Sequence, residues 1–203
     1  MQELVVINIL KKDLNFSDQS IEKLKEFTKL VLKENKNHNL ISKSTENHIW
    51  LRHVLDSAQL VKFIDFKCNS LADLGTGAGF PGLVIEIFNK NKAFHVKLFE
   101  KSPIKRQFLF KVIKELGLNA EVLGDIRYEK IDTDIIICRA FKKLDHVIQV
   151  SREIAKKPHK LIILKGQNAQ EEINKSFKNK KYPYKLEKSI TEIDSKIILM
   201  NFN

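Results

Sequence analysis

The sequence predicts an α/β protein: a mostly parallel, doubly wound sheet of seven strands that ends in an antiparallel hairpin and is preceded by a helical extension. Three observations carry that prediction. Apolar residues recur at helical spacing through roughly the first 65 positions. From about residue 68, short apolar runs alternate with helical stretches. Two further strand-like runs then follow with only a short polar connector between them.

In the first part, "SDQSIEKLKEFTKLVLKEN" opens with Ser17 as a helix cap, and Ile21, Leu24, Phe27 and Val31 form one stripe. After the polar loop "NKNHNLISKS", the segment "STENHIWLRHVLDSAQLVKFI" repeats the pattern. Ser44 or Thr45 is its expected cap, and Ile49, Trp50, Val54, Leu60 and Val61 face inward. Strands are expected at 71–74, 94–99, 120–123, 134–138 and 161–164, with helices at about 81–89, 103–116, 144–155 and 169–178 between them. "YKLEKSI" and "SKIILMNF" leave no room for a crossover helix, so they pair antiparallel. The expected organisation is an extension, residues 1–65, packed on a core of residues 66–203, effectively one domain.

At 203 residues, 43% hydrophobic and 30% charged, the chain suits one soluble domain with a real core. No apolar run approaches the roughly 20 residues that span a bilayer. "MQELVVINILKKDLN" has neither a basic leader nor a small-residue cleavage site, so it does not read as a signal peptide. The two cysteines, Cys68 and Cys138, lie far apart without metal-ligand spacing. Neither a disulfide framework nor a metal site is expected, and a cytoplasmic location fits.

A net charge of +11 invites a polyanionic partner such as nucleic acid, although lysine excess from coding bias yields the same number. Basic residues cluster at Lys101, Lys105, Arg106, Lys111 and Lys114; at Lys142, Lys143, Lys156, Lys157 and Lys160; and at Lys178, Lys180 and Lys181. Each cluster also reads as a solvated helix face or end.

The densest signal is "LADLGTGAGFPGLVIEIF". Gly77, Gly79 and Gly82 fit the dinucleotide pattern G-x-G-x-x-G, but they sit late, because Gly75 already ends the strand. The better reading is acid-x-G-x-G-x-G: Asp73, Gly75, Gly77 and Gly79, the loop that holds S-adenosylmethionine. Pro81 suits a first helical position. Glu100 ends the next strand about 21 residues beyond Gly79, where a carboxylate takes ribose hydroxyls. Asp125, Ile126 and Arg127 in "LGDIR" occupy the turn that frames the adenine. A nicotinamide-dependent oxidoreductase is the rival reading of the same glycines.

After the fourth strand the chain has "CRAF", not the (Asp/Asn/Ser)-Pro-Pro-aromatic motif of enzymes that methylate exocyclic amines. A thiol at Cys138 would suit attack on a pyrimidine ring, but Ile137 stands where those enzymes carry proline, and a buried strand-end cysteine is the commoner case. Two more functions compete for the same fold: methylation of a small molecule, and RNA association without catalysis.

"NHNLIS", "RHVLDS", "DLGTGAGFPGLVIEIF", "EKSPIKRQFL", "CRAF" and "LKGQ" occur in that order. Together they resemble the RsmG (GidB) family, the small-subunit ribosomal RNA guanine-N7 methyltransferases, from about Asn39 to Gln167. The resemblance implies a Rossmann-like S-adenosylmethionine-dependent methyltransferase fold with an N-terminal helical extension. It also implies methyl transfer to one guanine near the decoding region of 16S rRNA, in the small ribosomal subunit. Apart from the resemblance, a monomer with no membrane association is expected.

By position, Gly75 and Phe80 resemble the family's cofactor contacts, and Arg139 its arginine after the fourth strand. Ile126 and Arg127 depart from a frequent Ala-Glu beside the adenine, which leaves Asp125 or a backbone carbonyl to accept its amino group. Guanine N7 carries a free lone pair, so no general base is needed. The expected positioning residues are Asn39, Arg52, His53, Asp56, Ser57 and Arg139, with Arg52 and Asp56 paired at i,i+4. Lys165 and Gly166 are candidates for the acceptor side, with relaxation of the turn the other reading of Gly166, and Trp50 is expected to be core.

Overall fold

The computed structural model describes residues 2–139, 143–177 and 182–203. Ala140 and Phe141 of "CRAF", Lys142, and the cluster of Lys178, Lys180 and Lys181 lie outside the described residues.

The strands are β1 (Ser70–Leu74), β2 (His95–Phe99), β3 (Ala120–Leu123), β4 (Ile135–Arg139), β5 (His159–Lys165), β6 (Tyr184–Lys188) and β7 (Lys196–Phe202). They form one sheet in the order β3-β2-β1-β4-β5-β7-β6. Strands β1 to β5 are parallel, and β7 runs antiparallel to both β5 and β6. The seven strands therefore stand where expected, and the final hairpin enters the sheet with its second strand innermost. Strand β5 is longer than its apolar run because β7 pairs along its whole length, from His159 with Phe202 to Lys165 with Lys196.

Period-two alternation divides the sheet between two cores. Leu71, Ile135, Ile137 and Ile162 point into one; Ala72, Ile136, Cys138 and Ile163 point into the other. The second core is closed by α7 (Leu144–Ile154) and α8 (Ala169–Ser176). The first is closed by α5 (Gly82–Phe88) and α6 (Pro103–Leu116) and then by the extension.

Helices α1 (Gln2–Lys12) and α2 (Asp18–Asn35) contribute Val6, Leu10, Leu24 and Phe27 to that same apolar cluster. Each such side chain, fully buried, stabilises the fold by about 1.5–3 kcal/mol. Ser17 caps α2 through the Ser20 amide, and the Ser20 hydroxyl donates to the Ile87 carbonyl of α5 at 2.9 Å. The described residues contain no helix long and apolar enough to cross a membrane.

The segment after α2 departs from the single helix its spacing predicts. It breaks into α3 (Lys43–Glu46), a π-helical turn (Trp50–Leu55), α4 (Asp56–Ala58) and a 3-10 turn (Gln59–Phe63). Ser42, not Ser44 or Thr45, precedes the first piece, and it makes no side-chain bond to the helix backbone. The inward residues Ile49, Trp50, Val54, Leu60 and Val61 are all buried as expected. What apolar spacing does not register is the polar demand on this stretch. The Arg52 carbonyl accepts from a side chain of β4, and wide turns of this kind open a helical ladder to outside donors.

Pro81 stands at the cap position of α5, one place before the first helical residue, Gly82. A Cβ on Gly82 would meet Leu98 Cδ2 at 2.4 Å and Asp73 Oδ2 at 2.8 Å, so α5 lies against β1 and β2 at a distance only glycine allows. Gly82→Ala is therefore expected to destabilise the protein by about 1–3 kcal/mol through overpacking. A urea melt monitored by circular dichroism measures this, and an unchanged midpoint would refute the close approach.

Candidate active site

The carboxyl ends of the parallel strands meet where strand order reverses between β1 and β4, the place where open α/β sheets hold ligands. The loop after β1 turns back at once, because the Gly75 and Thr76 amides both donate to the Phe99 carbonyl at the end of β2. Gly75, Gly77 and Gly79 all have positive φ.

The residues of this loop divide into those that face the opening and those that support it. Gly77 belongs to the first kind: φ is +61°, and no atom lies within 4 Å of where its Cβ would stand. Its amide donates to Glu100 Oε2 at 3.0 Å, and the Ser102 amide donates to Oε1 at 2.8 Å. Gly79 belongs to the second, since a Cβ there would strike Leu83 at 2.5 Å. Asp73, the acid of the motif, lies wholly beneath the loop, and its Oδ2 accepts from the Gly82 amide at 2.8 Å. Burial pushes its pKa up to about 6, against the Thr76 hydroxyl, the Gly82 amide and the Arg139 charge, which lower it.

In front of the loop opens a cleft of about 850 Å³. One wall is Gly75, Thr76, Gly77 and Phe80 from the loop, with Arg139 at the end of β4. A second is Leu40, Ile41, Thr45, Arg52, His53 and Asp56 from the extension. The third comes from Lys165 and Gly166 after β5 and from Thr191 and Glu192 in the β6–β7 connector.

Arg139 ties these walls together. Its Nη1 donates to the Arg52 carbonyl at 3.0 Å and lies 3.5 Å from Asp56 Oδ2, while Nη2 lies 2.9 Å from His53 Nδ1. Its guanidinium carbon stands 5.5 Å from the centre of the Phe80 ring, at a cation–π distance. Asp56 Oδ1 accepts from Thr191 at 2.9 Å and from Gln59 at 3.0 Å.

A guanidinium has donors only, so His53 Nδ1 must accept. Burial, with the charges of Arg139 and Arg52, lowers the His53 pKa to about 3, so the ring is neutral. Its one N–H therefore sits on Nε2 and donates to the Thr45 hydroxyl at 2.9 Å.

Several expected site residues take other places. Arg52 pairs with Glu192, and Asp56 faces Arg139, so the i,i+4 pair of Arg52 and Asp56 does not form. Partners distant in the chain displace the local one. Asn39 is exposed and lies outside the cleft lining, while Ser57 is buried beneath it. Trp50 is core, as is Cys138, whose thiol burial pushes up to about 12, a value that leaves no thiolate for attack. Ile126 is buried, and Arg127 lies on Asp125, whose pKa its hydrogen bonds hold at about 2. Both Asp125 oxygens accept from Arg127.

Sequence reasoning missed Thr191 and Glu192, which no local pattern announces. It also missed Asn35, whose Oδ1 accepts from the Leu40 and Ile41 amides and so shapes the cleft wall; an asparagine at a helix end was the available signal.

The loop and Glu100 fit S-adenosylmethionine. The open space at Gly77 lets the ligand reach the backbone, and a carboxylate with about four lone-pair sites keeps two beyond its amide partners.

The sequence model of the GidB family, described as rRNA small subunit methyltransferase G, matches residues 20–198. A ribosomal RNA small subunit methyltransferase G of Pelagibacter ubique (strain HTCC1062) is 34% identical over 201 residues, 96% of this chain and 94% of that protein. One of Rickettsia akari (strain Hartford) is 40% identical over 187 residues, 91% and 95% of the two chains. Among solved structures, a SAM dependent methyltransferase from Aquifex aeolicus has a TM-score of 0.58 at 16% identity, over 85% of this chain and 97% of that one. The B. subtilis M1A22 tRNA methyltransferase TrmK gives 0.55 at 12% identity, over 74% and 66%. These structures share the fold.

His53 is expected to stay neutral, with its proton on Nε2, from pH 8 down to about 4 in a nitrogen-15 titration. Because its folded pKa of about 3 lies below the ordinary 6.5, the unfolded chain takes up the proton first. The stability it contributes is complete above pH 6.5 and falls as pH drops toward 3, by up to about 1.4 kcal/mol per pH unit. A His53→Gln variant that loses stability on acidification as steeply as the parent would refute this.

Proposed function

The chain belongs to the GidB family of small-subunit ribosomal RNA methyltransferases, and from that premise we propose that it transfers a methyl group from S-adenosylmethionine to N7 of one guanine in 16S rRNA, near the decoding region. The acceptor is the small ribosomal subunit, and the enzyme acts in the cytoplasm as a monomer. The observation that best supports this reading is the Arg139 network, which sets a fixed hydrogen-bonding wall directly beside the glycine loop.

When bound, S-adenosylmethionine supplies a methyl group on a sulfonium, an electrophile that the free lone pair of guanine N7 takes without a base. This chain's residues have only to hold and orient. Gly75, Gly77, Phe80 and Glu100 hold the cofactor. Asp73 and Gly79 act beneath the loop, keeping its backbone in place. Arg139 and Asp56 face the base, and Asp56 supplies a carboxylate near the positive charge that methylation leaves on the purine. His53 holds the Arg139 fork and carries no proton to the reaction, being neutral. Alignment of this kind lowers barriers by restricting motion before the reaction begins.

Gly77→Asp places a second carboxylate beside Glu100 in the open space. Affinity for S-adenosylhomocysteine by calorimetry is expected to fall about a hundredfold, because the new side chain takes the open space through which the ligand reaches the loop backbone. Unchanged affinity would remove the loop from the cofactor site.

The direct test incubates the protein with labelled S-adenosylmethionine and small subunits lacking the guanine-N7 mark, then maps 7-methylguanine by borohydride–aniline cleavage. One strong stop near the decoding region is expected; no methylation despite bound cofactor would refute the acceptor. In the same assay Arg139→Ala should slow single-turnover transfer about a hundredfold through misplacement. Arg139→Lys should not restore it, because lysine lacks the planar fork.

A further inference from the structure

Helix α6 carries an outward face that neither the cofactor loop nor the Arg139 cleft uses. Phe108, Leu109 and Val112 fix the helix to the core, leaving Ile104, Gln107, Phe110, Lys111 and Lys114 outward at spacings of three and four. Ile104 is 48% exposed and Phe110 55%, so the face presents apolar and aromatic side chains among its lysines. Among the described residues, no carboxylate pairs with the lysines on the face, and the one acid of the helix, Glu115, comes at its end. Helix α2 behaves differently: its Lys25 and Lys29 pair with Glu22 and Glu26. An aromatic ring flanked by unneutralised cations suits a polyanion that also offers flat bases.

The face starts at the active site. Ser102 caps α6 directly after Glu100, and Arg106 pins the turn by donating to the Glu100 and Lys101 carbonyls at 3.0 and 2.8 Å. Exposed Lys101 stands on that turn. From there to Lys114 the helix runs about 18 Å at 1.5 Å per residue, a positive track leading away from the cofactor rim.

We infer that this face of α6 is a docking surface for ribosomal RNA, with Lys111 and Lys114 against phosphates and Phe110 stacked on an unpaired base. The inference rests on the rRNA methyltransferase function proposed for the cleft and adds to it a contact outside the cleft. Its role is to hold the substrate, so its removal weakens binding and leaves the transfer step intact.

The test uses the full chain and unmarked small subunits. Phe110→Ala should weaken subunit binding about 5- to 150-fold. It should leave S-adenosylhomocysteine affinity and the saturated single-turnover rate unchanged, which also reports that the variant is folded. Replacing Lys111 and Lys114 together by methionine should lower the slope of log affinity against log salt by about 1.4–1.8, the value for two phosphate contacts. A photoreactive benzoylphenylalanine at position 110 should crosslink to 16S rRNA.

Crosslinking only to a ribosomal protein, or to nothing, would overturn the proposal. So would wild-type affinity and salt slope in both variants. If the parent protein neither binds nor methylates small subunits, the rRNA methyltransferase function itself fails, a result distinct from loss in the α6 variants alone.

Discussion

An arginine side chain can only donate hydrogen bonds, and the cleft is assembled from the groups that Arg139 donates to. The end of β4 is rigid, held on one side by β1 and on the other by β5. Arg139 projects from it toward a carbonyl, an imidazole nitrogen and a carboxylate, all from the segment that follows α3. Each choice constrains the next. The imidazole must be neutral with its proton on the far nitrogen, which then requires Thr45, and Asp56 must turn one oxygen inward and offer the other to Thr191. The π-helical turn is where the backbone accommodates these demands. A helical extension that shares its apolar cluster with one face of the sheet is thereby also a wall of the site.

Beneath the glycine loop a second constraint operates at shorter range. The Asp73 carboxylate is buried at a cost visible in its raised pKa, and it holds the first turn of α5 through the Gly82 amide. Gly82 must lack a side chain for that bond to form, since Asp73 Oδ2 occupies the space a Cβ would need. The loop's glycines thus serve different ends: Gly77 leaves open space in front, whereas Gly79 and Gly82 permit close packing behind.

The sheet was legible in the sequence because burial on both faces gives strands continuous apolar runs, and their spacing with α5 to α8 admits few arrangements. Residues Arg52, His53, Asp56 and Arg139 were legible as a group from their motifs, and the structure brings them to one cleft. Their partners were not legible. Glu192 and Thr191 reach Arg52 and Asp56 from the far end of the sheet, and pairwise electrostatics between such segments leaves no local pattern. The break in the helix around Trp50 was hidden for a related reason: apolar spacing reports which side chains are buried, and the break answers to a hydrogen bond from another strand. Asp73 and Gly79 illustrate a third case, where a motif announces a loop without saying which residues face its ligand.

The place of β7 inside β6 sets an order of events during synthesis. Strand β6 emerges first but has no neighbour to pair with, because the edge of β5 belongs to β7. Strands β1 to β5 form the parallel platform whose strand ends carry the glycine loop, Glu100 and Arg139. The connector with Thr191 and Glu192 docks on Asp56 and Arg52 only when β7 inserts. One wall of the cleft therefore depends on the last strand of the sheet, because the contacts of Thr191 and Glu192 with Asp56 and Arg52 need β7 in its place between β5 and β6.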